Sequence, residues 1–187
     1  AKGHDIANVT LVGVVLADIG LSMPDFRAAE RAFQLLTQAA GRAGRGHLPG
    51  RVLVQTLNPD HYAIRFAAEQ DYEGFFKKEL EFRKWMRYPP FAVCANIVLR
   101  SGKQEEALRF STELGRLLAP PPENVRVLGP AEAPVARLKT EYRYQILLKA
   151  SKRSILRETL SKLRAYALKQ KWPDSPLVID VAPLSLM

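Results

Sequence analysis

The sequence predicts an α/β chain built as two domains, and three observations carry that expectation. Val9 to Leu16 is an apolar, β-branched run interrupted only by Thr10 and Gly13, the pattern of a parallel strand covered by helices on both faces. His61 to Arg87 reads as a long, strongly charged helical stretch. Tyr88-Pro89-Pro90-Phe91 then stops that helix, because proline lacks the donor a helix interior needs and forces the residue before it into an extended shape. The domains are therefore placed at residues 1–88 and 89–187.

Within the first domain, Asp18 follows the apolar strand at its carboxyl end, where ligands gather in open α/β sheets. It either positions a neighbouring cation or is satisfied in the turn before Gly20. Ser22-Met23-Pro24-Asp25 opens the next helix with a serine able to cap it, an early proline and an acid in the first turn. Along that helix Phe26, Ala29, Phe33, Leu36 and Ala40 fall on one arc, while Gln34, Gln38, Arg42 and Arg45 share the opposite one. Gly41 and Gly44 end the helix and let backbone and guanidinium groups come close to a ligand. Two readings of this Gly/Arg loop stand side by side: a solvated cap whose cations answer the helix dipole, or a grip on phosphate, since a guanidinium can hold two phosphate oxygens at once. Arg51 to Thr56 alternates as a second strand, and Asn58-Pro59-Asp60 is placed to cap the helix that begins at His61. Phe75, Phe76, Leu80 and the stretch from Phe82 to Met86 make that helix's apolar side, read as core in preference to a base-stacking surface.

Beyond Phe91 the order is strand Ala92 to Leu99, helix Gln104 to Leu118, a Pro120-Pro121-Pro122 linker, strand Val125 to Leu128, strand Tyr142 to Lys149, helix Ser151 to Lys169 and strand Leu177 to Val181. A βαββαβ order points to a ferredoxin-like α+β domain, two helices packed on one antiparallel sheet. The connection from Gly129 to Glu141 is expected as an exposed loop. Alternation sends Tyr142, Tyr144, Ile146 and Leu148 one way and Arg143, Gln145, Leu147 and Lys149 the other. Tyrosines beside arginine and lysine can stack an unpaired base and clamp its phosphate, or can simply pack as ordinary strand residues. The basic cluster of Lys149, Lys152, Arg153, Arg157 and Lys162 is a second candidate surface, for a phosphate backbone or an acidic protein tail.

With 187 residues and 47% hydrophobic content, the chain can bury one good core or two small ones. A net charge of +9 suits a polyanionic partner, because Lys and Arg that neutralise phosphates release counterions. No run of about 18 or more apolar residues and no charged-then-apolar leader is present, so a cytoplasmic protein with no membrane partner is expected. Cys94, the single cysteine, excludes an internal disulfide, and His4, His47 and His61 are scattered without ligand spacing. No metal is assigned to this chain.

One further pattern narrows the function. Gln38-Ala39-Ala40-Gly41-Arg42-Ala43-Gly44-Arg45 resembles motif VI of superfamily-two helicases, and Lys2-Gly3-His4-Asp5 resembles motif V. Together with Pro24-Asp25-Phe26-Arg27, Arg87-Tyr88-Pro89-Pro90-Phe91, Leu128-Gly129-Pro130, Tyr142-Arg143-Tyr144-Gln145 and Ile179-Asp180-Val181, in this order and spacing, the chain resembles the C-terminal part of the primosomal replication-restart DNA helicases. That resemblance implies the last part of a second RecA-like lobe followed by an accessory domain that binds DNA or a partner. It also implies ATP-dependent, magnesium-dependent 3′-to-5′ unwinding at stalled forks and D-loops, with primosome assembly. Arg42 and Arg45 are the implied γ-phosphate contacts, with Gln38 positioning the site. Lys2, Gly3, Asp5, Asp18, Gly41 and Gly44 are the implied nucleotide-side residues, with Lys2 to Asp5 relaying closure to the DNA track. Tyr142, Arg143, Tyr144, Lys149, Lys152 and Arg153 are the candidates for nucleic acid or partner. The implied partners are forked and single-stranded DNA, single-stranded DNA-binding protein and primosome proteins. Zinc belongs to a cysteine-rich insertion of the family that is missing here. The chain also lacks a Gly-x-x-x-x-Gly-Lys-Ser/Thr loop and an acidic box, so it is expected to be truncated, inactive alone, and aggregation-prone or paired with another copy. A non-catalytic nucleic-acid-binding or partner-docking module is the alternative.

Overall fold

The computed structural model describes residues 9–43, 49–172 and 176–186. In the first of its two units, Ala1–Phe82, strand β1 (Leu11–Val14) pairs in parallel with β2 (Arg51–Val54), Leu11 opposite Arg51. Val14 and Val54 turn onto helix α2 (Ala28–Ala40) and pack against its Phe33 and Leu36. On the opposite face Leu11 and Leu53 are 57% and 62% exposed, so helices cover one face of this pair among the described residues, not the two expected. The first strand is also shorter than its apolar run, because Leu16 takes a left-handed φ of 53° and turns the chain into α1 (Asp18–Leu21).

Helix α2 does not start from Ser22, which instead closes α1 by donating its N–H to the Asp18 carbonyl. The anchor is Asp25. Its side chain is wholly buried, with Oδ1 accepting the Arg27 N–H at 3.0 Å and Oδ2 meeting Arg31 Nη1 at 3.0 Å. A buried carboxylate is tolerable only with such partners. The charged stretch from His61 forms two helices, α3 (Tyr62–Glu69) and α4 (Tyr72–Met86), where one was expected. The break lies at Gln70, in a left-handed φ of 54°, and Asp71 starts the next helix by accepting the Gly74 N–H at 2.9 Å. At the start of α3 the cap is His61, whose Nδ1 accepts the Ala63 N–H at 3.2 Å, rather than Asn58 or Asp60. Burial holds the His61 pKa below its ordinary value, which keeps that nitrogen an acceptor. Phe33 stacks on Phe75 with centroids 4.1 Å apart and planes 7° apart, and the Tyr62 hydroxyl donates to buried Glu79 at 2.7 Å.

The second unit, Arg83–Met187, begins inside α4. That helix ends with Arg87 at a left-handed φ of 54°, the Tyr88 N–H reaching the Arg83 carbonyl at 2.8 Å and the Arg87 N–H the Lys84 carbonyl at 3.3 Å. These two bonds are a Schellman closure with arginine where glycine is usual. Strands β3 (Val93–Ser101), β4 (Val125–Leu138), β5 (Glu141–Ala150) and β6 (Leu177–Val181) then form one antiparallel sheet in the order β4-β5-β3-β6. Helices α5 (Gln104–Leu117) and α6 (Arg153–Lys169) interleave with them in sequence, which gives the ferredoxin-like split βαβ topology. Their Leu114, Leu156 and Leu163 are almost fully buried against Ile97, Leu99, Ile146 and Leu148. Each such side chain contributes about 1.5–3 kcal/mol by leaving water.

The expected loop from Gly129 to Glu141 is instead mostly strand: β4 runs on to Leu138 and a short turn at Lys139 and Thr140 returns it to β5. Prolines hid this, yet they are tolerated because β4 is an edge strand, and the register shifts between Leu128 and Ala131 and between Glu132 and Arg137. Gly129 makes the first shift possible. Its φ is +100°, and a Cβ there would sit 2.7 Å from the Gln145 carbonyl oxygen. Gly129→Ala should therefore destabilise the C-terminal unit by about 2 kcal/mol or more, the cost of a left-handed non-glycine plus the clash. Denaturant unfolding checks it, and the midpoint should fall without a change of slope.

Candidate functional site

Helix α2 carries the candidate nucleotide face. With Phe33 and Leu36 fixed inward, Gln34 and Gln38 are exposed on the opposite arc, and the helix closes at Ala40 with Gly41 as its cap. Gly41 has a right-handed φ of −68°, so its role there is not left-handed backbone. Arg42 follows in the turn, half-buried, its N–H on the Ala39 carbonyl at 3.1 Å. The exposed Gln38 carboxamide and the Arg42 guanidinium are donor groups of the kind that suits phosphate oxygens, whereas the backbone N–H groups of the closing turn are already bonded to carbonyls. Holding a nucleotide's metal is another matter: among the described residues no group of three His, Cys, Asp or Glu lies together. Lys2, Gly3, Asp5, Gly44 and Arg45 lie outside the described residues.

Asp18 sits just past the carboxyl end of β1, where it was expected, with both its carboxylate oxygens engaged by the chain leaving β2. Oδ1 accepts from the Thr56 hydroxyl at 3.0 Å and Asn58 Nδ2 at 2.9 Å, and Oδ2 accepts the Leu57 N–H at 2.9 Å. The Leu57 bond, then that from Asn58, draws its pKa below the ordinary carboxylate value. It ties the two strand ends together. Beside the end of α2 lies a cleft of about 470 Å³ lined mainly by Leu36, Ala40, Ala43, Val52, Val54 and Ile64. Among the described residues its lining carries no charged side chain, with Gln70 as its one polar side chain.

In the C-terminal unit the six candidate residues separate. Tyr144 is buried in the core under α5 and α6, and Tyr142 packs against the same core with the Arg137 guanidinium 5.0 Å from its ring centre. Of the two readings of these tyrosines, Tyr144 takes the packing one, and Tyr142 is half-buried beside it. Lys149 is 3% exposed and also leaves the surface. Its ammonium donates to the Met86 carbonyl at 3.1 Å, closing the end of α4, and lies 3.3 Å from the centre of the Tyr88 ring. Burial lowers its pKa to about 8; Cys94, opposite it on β3, opposes that shift and Arg126 reinforces it. The Cys94 thiol is itself pushed up by burial. Lys152 and Arg153 remain exposed at the start of α6, and Arg143 is half-exposed on the face of the sheet away from the core. Sequence alternation separated Tyr144 from Arg143 but could not say which face α5 and α6 would cover. What it missed is the pairing of Asp25 with Arg31 that anchors α2; their i, i+6 spacing follows no helical rule, so no local pattern marked it.

Residues 84–184 match the family described as Primosomal protein N C-terminal domain. Over 100% of its length the chain is 39% identical to "Replication restart protein PriA" of Bacillus subtilis, covering 24% of that protein. It is 42% identical to the Synechocystis protein of the same name over 99% of the chain, covering 22% of it, and 35% identical to that of Borreliella burgdorferi over 100%, covering 28%. The chain therefore spans about a quarter of the length of the curated relatives it matches.

Lys149 gives a pH-dependent prediction. The unfolded lysine takes its proton near 10.5 and the folded one near 8, so between those values the unfolded chain binds more protons. Stability of the C-terminal unit should accordingly rise as pH climbs through that window, the ionisation penalty being fully present below about pH 8. Both Lys149→Met and Lys149→Ala should abolish this rise and leave the Met86 carbonyl without its donor, but Lys149→Ala should cost about 2–3 kcal/mol more by also leaving a cavity that methionine fills. Urea unfolding at pH 7.5, 9 and 10 distinguishes the three proteins.

Proposed function

The chain belongs to the primosomal protein N C-terminal domain family, and from that membership we propose that it forms the C-terminal part of an ATP-dependent 3′-to-5′ DNA helicase that restarts replication at stalled forks and D-loops. The observation that carries this reading is the extent of the likeness. Replication restart proteins match the chain from end to end, first unit included, and not only residues 84–184. In this reading Arg42 and Arg45 hold the γ-phosphate, Gln38 orients the site beside them, and Lys2, Gly3 and Asp5 link it to the DNA track. Gly41 and Gly44 keep the backbone slim enough for the phosphate to approach. Asp18 acts on the site indirectly, by locking the strand ends on which α1 and α3 are launched. ATP, entering with magnesium, supplies the phosphoanhydride bond whose cleavage drives the cycle, and a guanidinium spreads positive charge over the oxygens as that bond breaks.

The walls this chain lacks, a phosphate-binding loop and an acidic box, lie in the remaining length of the longer protein, and zinc is held by its cysteine-rich insertion. Its partners are forked and single-stranded DNA, single-stranded DNA-binding protein and the primosome proteins it loads, and it works in the cytoplasm. No helix among the described residues is long and apolar enough to cross a membrane. A second reading, a nucleic-acid-binding or partner-docking module without catalysis, draws on the C-terminal unit's own sheet and core.

Arg42→Ala or Arg45→Ala in the longer parent should lower DNA-stimulated ATP hydrolysis by roughly 10³-fold while leaving DNA affinity near that of the unaltered protein. The 187-residue chain alone should hydrolyse no ATP. Steady-state phosphate release with a parallel DNA-binding titration checks both. Undiminished hydrolysis in both arginine variants would leave only the module reading.

A further inference from the structure

Two acids and two bases crowd the start of α2: Asp25, Arg27, Glu30 and Arg31. Glu30 takes the Arg27 guanidinium in a fork, Nε on Oε2 at 3.1 Å and Nη2 on Oε1 at 2.8 Å. Asp25, with no exposed side-chain surface, accepts the Arg27 N–H on Oδ1 and meets the Arg31 guanidinium with Oδ2. Its own backbone belongs to the turn that leaves α1. The Asp25 N–H donates to the Met23 carbonyl at 2.7 Å, and the Ala28 N–H to the Asp25 carbonyl at 3.0 Å. The Asp25–Arg31 pair therefore ties that turn to the first turn of α2. Helix α1 in turn begins at Asp18, whose carboxylate holds the residues that follow β2, and its Leu21 packs against the core that receives Phe33 and Leu36.

Apolar residues of similar volume often hold a fold as well as a buried ion pair does, because the cost of desolvating two charges offsets their attraction. What directional bonds to a buried carboxylate add is a single permitted geometry. The core contacts of α2 leave room for that. Phe33 and Phe75 lie with their planes 7° apart, and flat rings can slide over one another with little change in contact. The stack thus sets which side of α2 faces inward but not its place along its own axis. Asp25 stops the slide. Arg42 follows on the same helix and its closing turn, about 15 Å beyond Arg31, so a shift at one end is passed to the other.

We propose that Asp25, acting through Arg31, is a positioning residue for ATP hydrolysis: it fixes where α2 lies along its axis and so where Arg42 meets the γ-phosphate. This deepens the functional reading and rests on its assignment of Arg42. Displacing a group that contacts the reacting atoms by about 1 Å costs on the order of 10²-fold in rate. Asp25 itself touches neither nucleotide nor DNA, so its loss lowers turnover and spares the affinity for both.

The test measures steady-state hydrolysis, DNA binding and thermal melting in the longer parent. Asp25→Asn combined with Arg31→Met keeps an acceptor for the Arg27 N–H and the length of the second side chain, and removes both charges. This double variant should fold, with turnover lower by about tenfold or more and with KM for ATP and DNA affinity within about threefold of the unaltered protein. Should it not fold, Arg31→Lys decides, since it keeps a cation for Asp25 but loses the guanidinium plane that fixes the geometry; the same split with a loss of about threefold in turnover is expected. Full turnover in whichever of these variants is folded would overturn the proposal and leave the pair a packing feature. So would turnover that falls only in step with melting. Arg42→Ala, measured alongside, separates the two claims. Undiminished hydrolysis there removes the nucleotide reading itself, whereas a crippled Arg42→Ala beside a fully active double variant removes only the role of Asp25.

Discussion

The orientation of α2 depends on one contact, the stack of Phe33 on Phe75. A helix turns by about 100° per residue, so whichever side chain is pinned inward decides what the opposite arc shows to solvent. Phe33 lies flat on Phe75 at 4.1 Å, with Leu36 one turn on in the same core. Such an aromatic pair adds about 0.5–1.5 kcal/mol beyond its burial. At the other end of the helix Asp25 and Arg31 form an ion pair whose carboxylate has no exposed surface. Pinned at both points, α2 presents Gln34, Leu35 and Gln38 outward, and its closing turn delivers Arg42 beyond Gly41. The candidate nucleotide face is thus a by-product of core packing.

The C-terminal unit obeys a different constraint, the two-residue period of its strands. Once α5 and α6 bury Ile146 and Leu148, Tyr144 must go with them and Arg143, Gln145 and Lys149 must not. Lys149 shows what that costs when the far face is also partly covered. Its ammonium survives burial because the Met86 carbonyl and the Tyr88 ring replace water, and in return it closes a helix that ends without glycine.

Much of this was readable from residue order. The βαββαβ succession led to the right sheet, since ferredoxin-like topology follows once two helices must cover one antiparallel face. The arc of Phe33 and Leu36 was equally plain, because period and residue type agreed. What escaped the sequence were long-range choices. Ser22 and Asn58 are good caps in isolation, but half-buried His61 caps α3, while α2 starts from Arg27 with no side-chain cap and is held by buried Asp25 through the Arg27 N–H and Arg31. Gln70 does not look like a helix breaker, and the left-handed turn it takes splits one expected helix into two. Pro130 and Pro134 read as loop because proline is rare in sheets, a rule that an edge strand with shifted register escapes. Lys149 read as surface because a lysine's solvation is a property of what lies over it.

Within the candidate site, the proposed nucleotide reading turns on the guanidinium of Arg42. The most direct measurement is an experimental structure of the longer parent with a non-hydrolysable ATP analogue and magnesium. The account predicts the Arg42 guanidinium within about 3 Å of a γ-phosphate oxygen, with Phe33 still flat on Phe75 behind it. A γ-phosphate held entirely by other cations, with Arg42 turned away into packing, would contradict it.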